Sequence, residues 1–187
     1  MIIGLIGKGG FASEVAAYLK HEHPYADILF FEYDNIKEAE HCDKVLIAIG
    51  DPQVRERIAN HFPLMPYTNF KSNNAIGYQF EWGIGAIICP AAILTTNVKV
   101  GHHVHINLGA TVGHDTIIGD YTTISPQASI SGNVTIGKGC YIGSGAIIRE
   151  KVSICDNVII GAGAVVVKDI TEPGTYIGVP CKILSQH

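Results

Sequence analysis

From Ile88 onward the apolar positions recur every six residues. Ile88, Leu94, Val100, Ile106, Val112, Ile118, Ile124, Ile130, Ile136, Ile142, Ile148, Ile154, Ile160 and Val166 are all Ile, Leu or Val. Two places before each stands a small or β-branched residue, running from Ala86 and Ala92 through Thr116 and Cys140 to Ala164. Residues two apart share one face of a strand, whereas six residues turn a helix through about 600° and would scatter the aliphatics around it. The residue after the aliphatic is often Gly, Ser or Asn, types that tolerate a sharp corner. Each hexad reads as a short strand plus a turn. Such a unit cannot bury its own face, so the hexads must coil into a solenoid in which each coil covers the next.

The ends of the pattern also read as ends. One hexad back from Ile88 the register holds Trp82, with Phe80 two before it, side chains too large for the interior that predict a plug on the first coil. Past Val166 the hexads stop at Lys168-Asp169-Ile170.

Upstream the texture changes. Strands are predicted at Ile2–Ile6, Ile28–Tyr33 and Val45–Ile49, with helices at Ala12–Lys20 and Pro52–Asn60. Strand and helix alternation implies a small parallel sheet, a Rossmann-like α/β domain over residues 1–72 ahead of an all-β domain over 73–187. The first strand runs into Gly7-Lys8-Gly9-Gly10-Phe11-Ala12, a variant of the dinucleotide fingerprint, and Glu32 lies twenty residues beyond Ala12. The hexads begin before a second mononucleotide half could be built. What remains is one phosphate-binding turn at a helix N-terminus, or simply a tight strand-to-helix turn. The loop Ile49-Gly50-Asp51-Pro52-Gln53-Val54-Arg55 ends the third strand on the same edge and favours a ligand there.

Composition sharpens this picture. The chain has 187 residues, 21 of them glycine, and only 16 % are charged, which fits many turns and few amphipathic surface helices. A net charge of −4 argues against nucleic acid or an anionic membrane as partner. No apolar run approaches the roughly 20 residues of a membrane span, and Met1–Gly7 lacks the basic flank of a signal peptide. Five scattered cysteines without a CxxC read as free thiols in the cytoplasm.

Nine histidines call for a reading each. His21, His23, His41, His61 and His187 read as solvated. His105 lies between inward Val104 and Ile106 and is expected to face outward, with His102 and His103 at a corner. No solenoid pair has metal-ligand spacing, so no metal is expected. His114 stands at a corner beside Asp115. An adjacent carboxylate can hold an imidazole's tautomer and stabilise the imidazolium formed when it takes a proton.

The hexads resemble those of the hexapeptide-repeat acyltransferases, and the tail Gly178-Val179-Pro180-Cys181-Lys182 resembles that family's Gly-Val-Pro-Ala-Lys ending. With the α/β domain included, the whole chain is similar to the PglD/NeuD-type sugar acetyltransferases. The resemblance implies a left-handed parallel β-helix with three hexads per coil, so fourteen hexads give about 4.7 coils and roughly 22 Å of prism. It implies homotrimers with each site between neighbouring prisms. It also implies acetyl-CoA-dependent N-acetylation of the 4-amino group of a UDP- or dTDP-linked amino-deoxy sugar, without an acetyl-enzyme. In its terms His114 is the general base, oriented by Asp115. Asn107, Thr123, Gly143, Ser144 and Ala162 would contact acetyl-CoA, with Thr123 in place of a histidine. Gly9, Gly10, Phe11, Glu32, Tyr33 and Gly50 would hold the nucleotide sugar, with Phe11 in place of a histidine. O-acetylation of a sialic acid, or a non-catalytic nucleotide-sugar-binding trimeric scaffold, are the alternatives.

Overall fold

The computed structural model describes residues 1–184; His187 lies outside the described residues. The N-terminal part contains β1 (Ile2–Ile6), α1 (Gly10–Glu22), β2 (Asp27–Phe31), β3 (Lys44–Ile47) and α2 (Pro52–His61), with a 3-10 turn over Ile36–His41. The strands form a parallel sheet in the order β2-β1-β3. Alternation splits β1 between two cores. Ile3 and Leu5 pack with Val15 and Leu19 of α1, while Ile6 packs with Ile36 and with Ile58 of α2. Because β2 stops at Phe31, Glu32 and Tyr33 lie just past the strand, in a turn held by the Asn35 carboxamide on the Glu32 N–H.

The solenoid begins at Phe70 and has three parallel faces. Face 1 runs through Phe70–Lys71, Ile87–Ile88, His105–Ile106, Thr123–Ile124, Tyr141–Ile142 and Val158–Ile160; Gly174–Ile177 and then antiparallel Lys182–Ile183 cover its far end. Face 2 carries Thr111–Val112 and its neighbours, and face 3 carries Ile117–Ile118 and its neighbours. Successive rungs pair 18 residues apart, Thr111 with Ser129 and Ile117 with Thr135. The architecture fits the left-handed β-helix class. All fourteen hexad aliphatics are at most 4 % exposed, and burying each contributes about 1.5–3 kcal/mol. The interior threonines are satisfied, Thr116 donating to Ser131 O and Thr122 to Gly137 O.

There are about six turns, not the 4.7 that the hexads imply. The additional turn spans residues 70–82. On its first two faces it pairs 17 residues away, Phe70 with Ile87 and Ile76 with Ile93. The phase slips by one residue, so Lys71 and Gly77 stand opposite Ile88 and Leu94 and no aliphatic marks the coil. Phe80 and Trp82 form its third side, edge to face with each other and packed against the end of the core.

The corners turn for a reason other than the expected one. A left-handed φ of 52–79° recurs every six residues from Gly85 to Gly163, three places after the aliphatic, and is often held by Asn, Asp or other non-glycine residues. The glycines directly after the aliphatic serve coil stacking instead. A Cβ on Gly113 would lie 2.6 Å from Gly132 N, and one on Gly143 2.6 Å from Ala162 N.

Face 1 carries the α/β domain. Outward-pointing Phe70, Ile87 and Cys89 join the core of α1 and the sheet, so the two parts share continuous apolar packing.

Candidate active site

His114 and Asp115 sit on the edge between faces 2 and 3, opposite the face that carries the α/β domain. Asp115 is one of the left-handed corner residues, with φ 57°, and its Oδ2 lies 2.7 Å from His114 Nδ1. Asn97, one coil earlier, donates from Nδ2 to the other carboxylate oxygen at 3.1 Å. These hydrogen bonds, His114 first and Asn97 second, hold the Asp115 carboxyl below its ordinary value. The imidazole is exposed and lies over Gly132, one coil later. Asn97 and Gly132 are absent from the sequence reading, yet each is 18 residues from a dyad member, and the coil period would have found them.

The residues expected on acetyl-CoA divide. Asn107 is buried, its Nδ2 donating to Ile124 O at 2.9 Å. Gly143, Ser144 and Ala162 continue the same edge, between faces 1 and 2, and Ser144 and Ala162 are exposed. That edge and the dyad's edge bound face 2. Thr123 is not with them. It lies under the α/β domain, 2 % exposed, donating to Gly50 O and accepting from Arg55. Its outward position on face 1 is closed over by the docked domain.

At the other site, α1 starts with Gly9 as N-cap, no side chain capping it and no acidic residue in its first turn. A Cβ on Gly9 or Gly10 would meet nothing within 4 Å, so the helix N-terminus is open to an anion. The start of α2 differs. Asp51 accepts from the N–H groups of Gln53 and Val54, so the loop after Gly50 is capped by its own chain. Between the ends of β1 and β2 and helix α2 a cleft of about 320 Å³ is lined by Gly7, Lys8, Glu32 and Tyr33 over an apolar floor of Phe31, Ile36, Ile49, Val54, Ile58 and Phe62, with the exposed Arg57 and His61 on the rim. Phe11 does not join it; its ring packs against His105 with centroids 5.0 Å apart, because the N-terminus of α1 rests on face 1.

Two histidines are buried where the α/β domain docks. His105 points out of the prism as expected, but the α/β domain buries it completely. Neither of its ring nitrogens makes a well-aligned hydrogen bond, and burial holds it well below its ordinary pKa. His103 is stacked on Tyr121 and edge-on to Tyr67, with its pKa lowered to about 4 by burial and then by Arg55. Arg55, in the predicted second helix but given no role by its sequence, is the junction's main polar contact. Fully buried, it donates to His103 O, Ile49 O, Tyr121 O and Thr123 Oγ1. Burial lowers its pKa to about 9, still charged at neutral pH.

Among the described residues no three His, Cys, Asp or Glu side chains are grouped to hold a metal ion, and no helix is long and apolar enough to cross a membrane.

The six-turn solenoid of hexapeptide repeats is the architecture of the hexapeptide transferases. Residues 133–168 match the family model described as bacterial transferase hexapeptide (six repeats). The chain is 31 % identical to WeeI from Acinetobacter baumannii AYE, covering 98 % of this chain and 100 % of that one with a TM-score of 0.89. It is 26 % identical to the acetyltransferase domain of PglB from Neisseria gonorrhoeae FA1090, covering 98 % and 99 % with a TM-score of 0.90, a domain also solved with acetyl coenzyme A. PerB from Caulobacter crescentus, solved with CoA and GDP-perosamine, shares the fold at 24 % identity, 99 % and 98 % coverage and a TM-score of 0.91. No curated protein sequence matches the chain. The chain belongs to the PglD/NeuD-type family of sugar acetyltransferases.

Proposed function

We propose that the protein transfers the acetyl group of acetyl-CoA to the 4-amino group of a nucleotide-linked amino-deoxy sugar. The carrying observation is the 2.7 Å contact between His114 Nδ1 and Asp115. A carboxylate on Nδ1 keeps the proton there and leaves the lone pair on Nε2. As the amine nitrogen bonds to the thioester carbonyl carbon, Nε2 takes the amine proton. The tetrahedral intermediate then expels the CoA thiolate, which recovers that proton from the imidazolium, giving the acetamido sugar and CoA. Asp115 stabilises the imidazolium, and a backbone N–H at a solenoid corner holds the oxyanion.

The acetyl-CoA complex of the PglB domain supports this donor, and the exposed Ser144 and Ala162 give its arm an edge to follow toward face 2. Direct transfer is supported by the thiols. Burial raises Cys89 to about 12 and Cys140 to about 11, leaving neither as a thiolate nucleophile. The open N-terminus of α1 and its adjoining cleft support a nucleoside diphosphate as the sugar's carrier. Cleft and dyad lie on opposite sides of one chain, so we propose a homotrimer in which one protomer's cleft presents the sugar to a neighbour's His114. The scattered free thiols support a cytoplasmic location.

The test is acetyl-CoA consumption with UDP-, GDP- and dTDP-linked 4-amino sugars against free sialic acid. Turnover of a nucleotide sugar is expected, with His114→Ala below a tenth of wild-type kcat/KM, because general-base catalysis contributes about 10²–10⁴-fold. Higher residual activity removes His114 as the base.

A further inference from the structure

Glu32 is the one carboxylate lining the cleft, and its half-exposed side chain puts it at the solvent side rather than among the buried Phe31, Ile36 and Ile58. Its backbone is fixed from two sides. Asn35 Oδ1 accepts from the Glu32 N–H and Asn35 N–H donates to Glu32 O, while Gly7 N–H donates to Phe31 O and ties the first loop to the end of β2. Lys8 Nζ reaches Glu32 Oε2 at 3.0 Å, with both side chains about half exposed. The carboxylate is therefore held by a neighbour in the loop after β1, and the ion pair engages only one of its oxygens.

At about 320 Å³ the cleft is at the small end of ligand pockets, which run from about 300 to 1,000 Å³. It suits the nucleoside end of a nucleotide sugar, with the planar base on the apolar floor and the diphosphate outside, toward Gly9 and Gly10. The ribose then falls at the mouth. A carboxylate accepts hydrogen bonds and donates none when ionised, so its partners there are ribose hydroxyls, and an acidic residue at the end of the second strand of a βαβ unit commonly accepts from the 2′-hydroxyl.

Resting on the nucleotide-sugar reading above, we propose that Glu32 reads the ribose 2′-hydroxyl and makes the protein specific for a ribonucleoside diphosphate sugar over a 2′-deoxyribonucleoside one. A sugar without that hydroxyl leaves the carboxylate short of a partner at a site closed from water by the ligand, a loss of about tenfold in affinity for a half-exposed charged acceptor.

Calorimetric titration of UDP against 2′-deoxy-UDP, and of GDP against 2′-deoxy-GDP, tests this on the wild type and on Glu32→Gln, with melting temperatures showing that the variant is folded. At least one ribonucleotide is expected to bind about tenfold tighter than its deoxy partner, and Glu32→Gln to bring that pair within about twofold. Equal binding within every pair that binds, or full discrimination kept by Glu32→Gln, overturns the proposal. Binding of none of the four, together with no turnover of any nucleotide sugar, overturns the nucleotide-sugar reading itself.

Discussion

The imidazole of His114 lies where a side chain on Gly132 would be: a Cβ there would stand 2.5 Å from His114 Nε2. The two residues are one coil apart, and the absence of a side chain at 132 gives the base a flat seat. Gly132→Ala is expected to push the imidazole outward while leaving the coil intact, since the clash is with a side chain that can swing away. A displaced base costs about 10²-fold in kcat, with little change in melting temperature. Near-normal kcat would mean that the seat does not position the ring.

Asp115→Asn keeps the shape of the corner but removes the charge that stabilises the imidazolium. A loss of about tenfold in kcat is expected, smaller than that of His114→Ala because the pair is solvent-exposed and screened. Asn97→Ala removes the second of the hydrogen bonds that hold the Asp115 carboxyl down, so a carboxyl signal followed by NMR should titrate at higher pH in that variant than in the wild type.

Arg55 joins the two parts of the molecule through one buried guanidinium. Arg55→Met leaves the His103, Ile49 and Tyr121 carbonyls without their donor, at a cost of about 3 kcal/mol. For a chain of this size that lowers the melting temperature by roughly 6–12 °C by calorimetry. A fall of less than about 2 °C would show that apolar packing alone holds the junction.

Buried, neutral His103 makes the junction sensitive to acid. Its folded pKa of about 4 lies below the ordinary histidine value of 6.5, so the unfolded chain binds the proton first. The stability is fully present above about pH 6.5 and is lost as pH falls toward 4, on the order of 3 kcal/mol from this residue. His105 adds in the same direction. Melting temperatures measured from pH 7.5 to 4.5 should fall, and less steeply in His103→Asn, which keeps a residue suited to the left-handed corner. Parallel slopes would exclude His103 as the source.

Hybrid trimers test whether the cleft and dyad meet across protomers. His114→Ala lacks the base, and Gly9→Trp fills the open space before α1. Each alone should be inactive. Randomly mixed, the two should recover about a quarter of wild-type activity, because one cleft-dyad pairing in four is intact if the pairing runs between neighbours. No recovery from mixtures shown to exchange subunits would place both halves within one chain.

Much of this was legible in the chain. The six-residue period located every inward side chain from Ala86 to Val166, because burial on one face of a short strand leaves a mark that no other constraint overrides. It also located His114 beside Asp115. What sequence hid was of two kinds. The first coil is paired one residue out of phase, so its inward positions carry Lys71 and Gly77 in place of aliphatics. Thr123, Phe11, His103 and His105 depend on what covers face 1, and the solenoid's period is blind to a domain docked on its outside. Glycine was ambiguous as well. The same residue type serves stacking at Gly143 and left-handed φ at Gly145, and only coordinates separate the two.

The 18-residue pairing that holds from the second coil to Val166 makes the prism a ladder whose length comes in whole rungs. Eighteen residues inserted after Glu150 would lengthen the far end and leave every neighbour of His114 and Arg55 in place. Six inserted between Asp115 and Gly132 would rotate each later side chain onto the next face and separate the base from its seat, and six inserted between Asn97 and His114 would take Asn97 away from Asp115. Length is thus free to drift beyond the dyad in steps of one rung, and tightly bounded within it.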